Sequence, residues 1–176
     1  MQILNLKIAM VQSIILVLIF SLSATNSIAQ QKYKIAGKQI NVFTKTERID
    51  VGDIVGHQLS LVVSEGVNES TGPTEFGNGA QLVNVSISDL VNFNGIFKGY
   101  TKLTKKGDIA YGAYEGKIIT TISPDGTPIS TAEGTVTWIK GTGQFENIQG
   151  GGTVKIKYLS TSIYTSDWEG EYWIKK

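Results

Sequence analysis

Alternation of apolar and polar residues dominates the chain from residue 34 onward, and helical periodicity is nearly absent. In residues 57–65, for example, Leu59, Leu61 and Val63 alternate with polar side chains, which is the pattern of a half-buried strand. Turn sequences such as Ser123-Pro-Asp-Gly126 separate the segments. Eight segments fit strands: 34–43, 57–65, 81–88, 96–104, 109–122, 130–140, 153–164 and 168–174.

Glu-Gly pairs recur in the second half of the chain, at 115–116, 133–134 and 169–170. Aromatic residues such as Tyr114 and Trp138 lie an even number of positions from these glycines, so both share one strand face. We expect this face to be the interior. The glutamates then lie outside, opposite lysines, as solvated cross-strand pairs. The alternative, paired carboxylates for glycoside hydrolysis, is opposed by the same strand alternation.

Eight short strands without helical connections indicate a sandwich or a barrel. Closure into a barrel removes the exposed edges that long strands rich in Thr and Val would otherwise present. We therefore predict an all-β fold, a single antiparallel eight-stranded barrel. An interior of this size holds its own side chains or one small ligand.

Residues 1–29 predict a signal peptide. Lys7 precedes an apolar run, and Ser27-Ile28-Ala29 fits cleavage before Gln30. The alternative is a membrane anchor, but the run of residues 8–22 is shorter than the roughly 20 apolar residues that a spanning helix needs. Residues 30–176 would then form the barrel domain, secreted or periplasmic, with no membrane insertion after cleavage.

Charge and cysteine content exclude several functions. Residues 1–29 hold one of the 16 basic residues and no acidic one, so 15 basic and 15 acidic residues remain. A neutral chain lacks the basic field that drives nucleic-acid binding. The absence of cysteine excludes thiolate chemistry. The chain has one histidine, His57, so we expect no metal site and no cofactor.

The segment Gly141-Thr-Gly-Gln-Phe145 followed by Gly150 resembles the Gly-x-Gly-x-Phe-x-x-x-x-Gly turn of allene oxide cyclase and dirigent proteins. That resemblance implies a calycin-like eight-stranded barrel. The wider runs 56–73 and 167–172 resemble secreted bacterial proteins of the same barrel class.

The resemblance implies little about activity. The cyclases have a Glu and an Asn two positions apart after an aromatic in the first strand, whereas residues 43–47 have threonines at the polar positions. Cyclase activity of that type is therefore not carried over. Glu65, Asn68 and Pro73 form a looser match. Glu65 also shares the strand face that we predict to be the lumen, so Glu65 and Asn68 are the candidate catalytic residues.

A small, largely apolar molecule is the predicted partner, bound in the lumen. The candidate ligand-binding residues are Phe76, Trp138, Trp168 and Tyr172. We predict residues 66–79 to be a loop that closes the functional mouth, the alternative being a mobile solvent loop. The end that contains His57 would be plugged, with His57 more plausible as a hydrogen-bonded structural residue than as a catalytic one.

Three functions stay open on the sequence. The first is a binding module, the second a cofactor-free isomerase or cyclase, and the third a filled barrel with a structural role in the cell envelope. A cavity of about 300 Å³ or more would favour the first two. A carboxylate inside that cavity would favour the second.

Overall fold

The computed structural model describes residues 30–175, so the predicted signal peptide lies outside the described residues. Eight antiparallel strands pair in sequence order, and the first also pairs with the last, which closes the barrel. The predicted fold class is confirmed. The strands are β1 Tyr33–Asp50, β2 His57–Ser70, β3 Ala80–Val91, β4 Asn94–Lys105, β5 Asp108–Ile122, β6 Pro128–Gly141, β7 Ile148–Tyr158 and β8 Ile163–Ile174.

Three predicted boundaries are wrong. The first strand, expected to end at residue 43, continues to Asp50. The expected loop at 66–79 begins only after Ser70, because β2 continues in register with β1 and pairs Gly66 with Asn41. The expected single strand at 153–164 is in fact the end of β7, a tight turn and the start of β8. That turn is closed by Leu159 N, which donates to Ile163 O at 2.9 Å.

The Glu-Gly segments behave as predicted. Gly116 of β5 lies opposite Gly134 of β6, and the glutamate before each is exposed. A Cβ on Gly116 would lie 2.7 Å from the Gly134 Cα and from the Phe97 ring, so the two strands approach too closely for any side chain there. On the outer face, Glu133 pairs with Lys117 on one side and Lys155 on the other.

A packed core closes one end of the barrel. It consists of the residues around a 3-10 turn, Gly143–Phe145, together with the strand ends that meet there. We call five rings of this end the aromatic floor: Phe76, Trp138, Phe145, Trp168 and Tyr172. The hairpins β1–β2, β3–β4, β5–β6 and β7–β8 lie at the opposite end, which we call the mouth.

The inner and outer faces of β2 are the reverse of the expected ones, and on β3 the polar positions likewise face inward. Leu59 is 44% exposed and Ile87 is 49% exposed, whereas Ser60, Ser64 and Asn84 point inward and are buried. The alternation was correct, but a two-faced strand does not itself tell which face encloses the lumen. Polar side chains can point into this lumen because it contains a cavity and is not a packed hydrophobic core.

Candidate functional site

The lumen above the floor is a cavity of about 700 Å³, within the range of small-molecule sites. It extends to the mouth, where the lining residue Phe93 is 59% exposed. Most of the wall is apolar or aromatic. Its larger members are Phe43, Phe97, Tyr114, Ile118, Val154, Ile156, Tyr158 and Tyr164.

A polar cluster interrupts this wall on one side. Asn84 of β3 donates through Nδ2 to Asn41 Oδ1 at 3.2 Å and to the Tyr164 hydroxyl at 3.2 Å. Ser64 and Tyr164 share a further hydrogen bond of 2.7 Å. Asn41 is fully buried, and its Nδ2 has no partner within the described residues. Ser64, Asn84 and Tyr164 line the cavity, so the cluster offers hydroxyl and amide groups to a guest.

Burial keeps the tyrosines of the wall in their neutral form. It raises the pKa of Tyr158 to about 12 and raises the pKa values of Tyr114 and Tyr164 as well. For Tyr164, hydrogen bonds from Ser64 and Asn84 offset part of that rise. A neutral phenol can both donate and accept a hydrogen bond. These side chains can therefore orient a polar group of a guest, but they are poor general bases near neutral pH.

The floor is held together by Asn68, one of the two candidate catalytic residues. Its Nδ2 donates to Phe76 O at 3.2 Å and to Gly77 O at 3.0 Å, while its Oδ1 accepts from Trp168 Nε1 at 2.8 Å. Asn68 is fully buried. Its amide thus ties the β2–β3 loop to β8.

Glu65 does not face the lumen. The side chain is exposed on the outer face of β2, between Val42 of β1 and Val83 of β3. The predicted orientation was wrong because it depended on the reversed assignment of faces. Glu65 and Asn68 therefore lie on opposite sides of the barrel wall. No carboxylate lines the cavity in the part of the chain that the structure describes.

The candidate ligand-binding residues all lie in the floor. Phe76, Trp138 and Trp168 line the lower end of the cavity, whereas Tyr172 packs behind Phe76 with ring centroids 4.8 Å apart. The Phe76 ring is only 4% exposed. The prediction that the mouth lies at this end, and that the His57 end is plugged, is therefore wrong: the β2–β3 loop plugs the barrel.

His57 is a hydrogen-bonded structural residue on the outer face at the mouth end. Its Nδ1 lies 2.6 Å from Asp53 Oδ1 and its Nε2 lies 2.8 Å from Asp89 Oδ1. The hydrogen bond with Asp89 is the largest cause of the raised pKa of His57, and the hydrogen bond with Asp53 is the next. The hydrogen bond with His57 in turn lowers the pKa of Asp53. We call these two contacts of His57 the clamp, and they link the turn between β1 and β2 to β3.

Sequence reasoning missed the polar cluster and the one charged side chain of the wall, Arg48. A signal for the cluster was present: small polar residues alternate along both 57–65 and 81–88, opposite apolar ones. The described residues contain no group of three His, Cys, Asp or Glu side chains that could hold a metal ion. Within residues 30–175, no helix is long and apolar enough to span a membrane.

Comparisons with known proteins add little to this geometry. No protein-family model matches the chain, and no curated protein does. The structure of the pterocarpan synthase dirigent protein PsPTS1 is similar at 11% identity with a TM-score of 0.44, covering 83% of this chain and 97% of that one. For GePTS1, also a pterocarpan synthase dirigent protein, the values are 10%, 0.45, 86% and 90%.

Both neighbours are dirigent proteins, but the resemblance of this chain to dirigent proteins, to allene oxide cyclase and to secreted bacterial proteins stays a prediction. Both TM-scores lie below 0.5. The barrel therefore rests on its own strand pairing, and the site on its own residues.

Proposed function

We propose that this barrel binds a small, largely apolar molecule in its cavity. The observation that carries the proposal is the cavity itself: about 700 Å³, closed below by the aromatic floor and bordered mainly by apolar side chains. Burying apolar surface contributes about 25 cal/mol per Å². A guest that packs its apolar surface against even part of this wall therefore gains substantial affinity.

The other two functions receive less support. A filled barrel with a structural role does not need an interior of this size. The cofactor-free isomerase or cyclase depended on Glu65 and Asn68 at the mouth, where they would hold and polarise a substrate. Glu65, proposed for that role on the sequence, is exposed on the outer face, and Asn68 is committed to the floor.

The test is native mass spectrometry of the protein purified from its own host, which would show a small molecule that co-purifies. A matched pair of variants locates it. Ile156→Trp places a bulky ring in the cavity wall, whereas Ile87→Trp makes the same change on the outer face. We expect the first variant to lose the bound mass and the second to retain it. Retention by both would place the guest outside the cavity and contradict the proposal.

We also propose that the protein is exported after cleavage before Gln30. Support comes from the apolar run and the Ser27-Ile28-Ala29 pattern in the sequence. The intact mass of the same purified protein checks this directly. A chain that still begins at Met1 would contradict cleavage.

A further inference from the structure

Arg48 is the only arginine in the sequence. It is also the only charged side chain that lines the cavity among residues 30–175, and it lies near the mouth end of β1. A guanidinium carries five N–H donors and no acceptor, and it matches the geometry of a carboxylate, sulfonate or phosphate oxygen pair. This single charge therefore marks the polar end of an otherwise uncharged cavity.

A β-bulge determines that this charge faces inward. Phe43 pairs with Ser64, but Lys45 pairs with Val63, so Thr44 is an additional residue in β1. An additional residue shifts the alternation of all later side chains by one position. If the same sequence continued from Phe43 as a regular strand without the bulge, Glu47 would have the inward position and Arg48 the outward one. The bulge thus exchanges an anion for a cation in the cavity wall.

The neighbours of Arg48 add hydrogen-bond donors to the same level of the wall. Arg48 lies opposite Ser60 of β2, and Ser60 lies opposite Ser88 of β3. All three side chains line the cavity. A guanidinium and two hydroxyls on adjacent strands can together surround one anionic group.

The nearby carboxylates have other partners, and one of them, Asp50, shares the inward face of β1 with Arg48. Glu47 pairs with Lys45 at 2.8 Å on the outer face, and Asp50 accepts a hydrogen bond of 2.8 Å from Gln58 Nε2. Asp53 and Asp89 both bind His57. Arg48 itself forms no ion pair within the described residues.

We propose that the guest is an amphipathic anion whose acidic group binds Arg48, Ser60 and Ser88 while its apolar body extends toward the aromatic floor. This inference depends on the proposed function, because it specifies the chemistry of the molecule that occupies the same cavity. It assigns Arg48 as the residue that selects an acid over a neutral molecule of the same shape.

Two fluorescent probes with a common body separate these contributions. 8-Anilinonaphthalene-1-sulfonate carries a sulfonate, and N-phenyl-1-naphthylamine has the same arylamine rings without it. Both are titrated against the full mature protein and against Ile156→Trp, and weaker binding in that variant assigns the probe to the cavity. If neither probe binds the cavity, the proposed function fails for ligands of this size, and the inference fails with it.

The variants test Arg48 itself. Since Arg48 is at the mouth and partly exposed, we expect Arg48→Gln to weaken the sulfonate probe about tenfold, the low end for a charge-assisted hydrogen bond. The neutral probe should bind Arg48→Gln as it binds the original protein. Arg48→Lys should lose less than Arg48→Gln. Lys38→Gln removes a charge from the outer face of the same strand and should change neither affinity.

Three results would overturn the assignment while leaving ligand binding intact. The first is an unchanged sulfonate affinity in Arg48→Gln, which would mean that the guanidinium does not contact the anion. The second is an equal loss for both probes, which would mean that Arg48 acts on the shape or stability of the mouth. An equal loss of sulfonate affinity in Lys38→Gln would indicate general charge attraction and would also overturn it.

Discussion

Replacing Phe76 with alanine should destabilise the barrel, because this ring is the centre of the aromatic floor. Its centroid lies 5.2 Å from Trp138, 5.5 Å from Phe145, 6.1 Å from Trp168 and 4.8 Å from Tyr172. Truncation of a buried Phe to Ala costs about 3–5 kcal/mol. The space left behind opens onto the existing cavity, so the loss should lie near the lower value, about 3 kcal/mol.

For a domain of about 150 residues, a loss of this size lowers the Tm by roughly 6–12 °C. Urea unfolding followed by tryptophan fluorescence gives the free energy of unfolding, with Trp138 and Trp168 reporting from the floor itself. Phe93→Ala is the matched control, since Phe93 also lines the cavity but is largely exposed at the mouth. If the two variants lose equal stability, Phe76 is not a core residue, and the β2–β3 loop is a lid after all.

Three further substitutions test other features. Glu65→Gln should change the free energy of unfolding by less than about 0.5 kcal/mol and leave probe binding intact, and a loss of binding would place Glu65 in the lumen. Asn84→Ala should cost about 1–3 kcal/mol in urea unfolding, since it leaves the buried Asn41 Oδ1 without its donor, and a neutral result would contradict the cluster. The Tm deficit of His57→Gln should be largest near pH 5.5 and should shrink as the pH rises through the raised pKa of His57, because the protonated ring is stabilised in the folded state. Asp53, whose pKa is lowered, keeps its charge at pH 5.5, so a deficit that grows toward pH 9 would contradict the clamp.

The fold was largely accessible from the sequence because local signals agree with one another. Turn residues such as Gly126 mark the strand ends, and Gly126 N does donate to Ser123 O at 2.9 Å. Glycines and aromatic residues lie at alternate positions on the same strand face, and this pattern correctly predicted the inner face of β5, β6 and β8. These signals act within a few residues, so a single chain suffices to show them.

The site was less accessible, because its geometry depends on long-range closure. Leu59 and Ser60 alternate in either orientation, and only the ring of eight strands decides which of them faces the lumen. The inward position of Arg48 depends on the β-bulge between Phe43 and Lys45, which no pattern in residues 43–48 predicts. The plug formed by Phe76 similarly depends on partners in β6 and β8.

The inward-facing polar residues of β2 and β3 have a consequence for how the chain folds. At the mouth, these strands turn Ser60 inward and Leu61 outward, so hydrophobic collapse of that half alone would favour a slip of one residue. At the floor, Leu82 and Ala80 are buried in the observed register, and the same slip would expel them. The contacts of the aromatic floor must therefore form before the strands at the mouth can pair in the observed register. The contacts are locally frustrated in the mouth half of the barrel and consistent in the floor half, so local opening is expected to begin at the mouth.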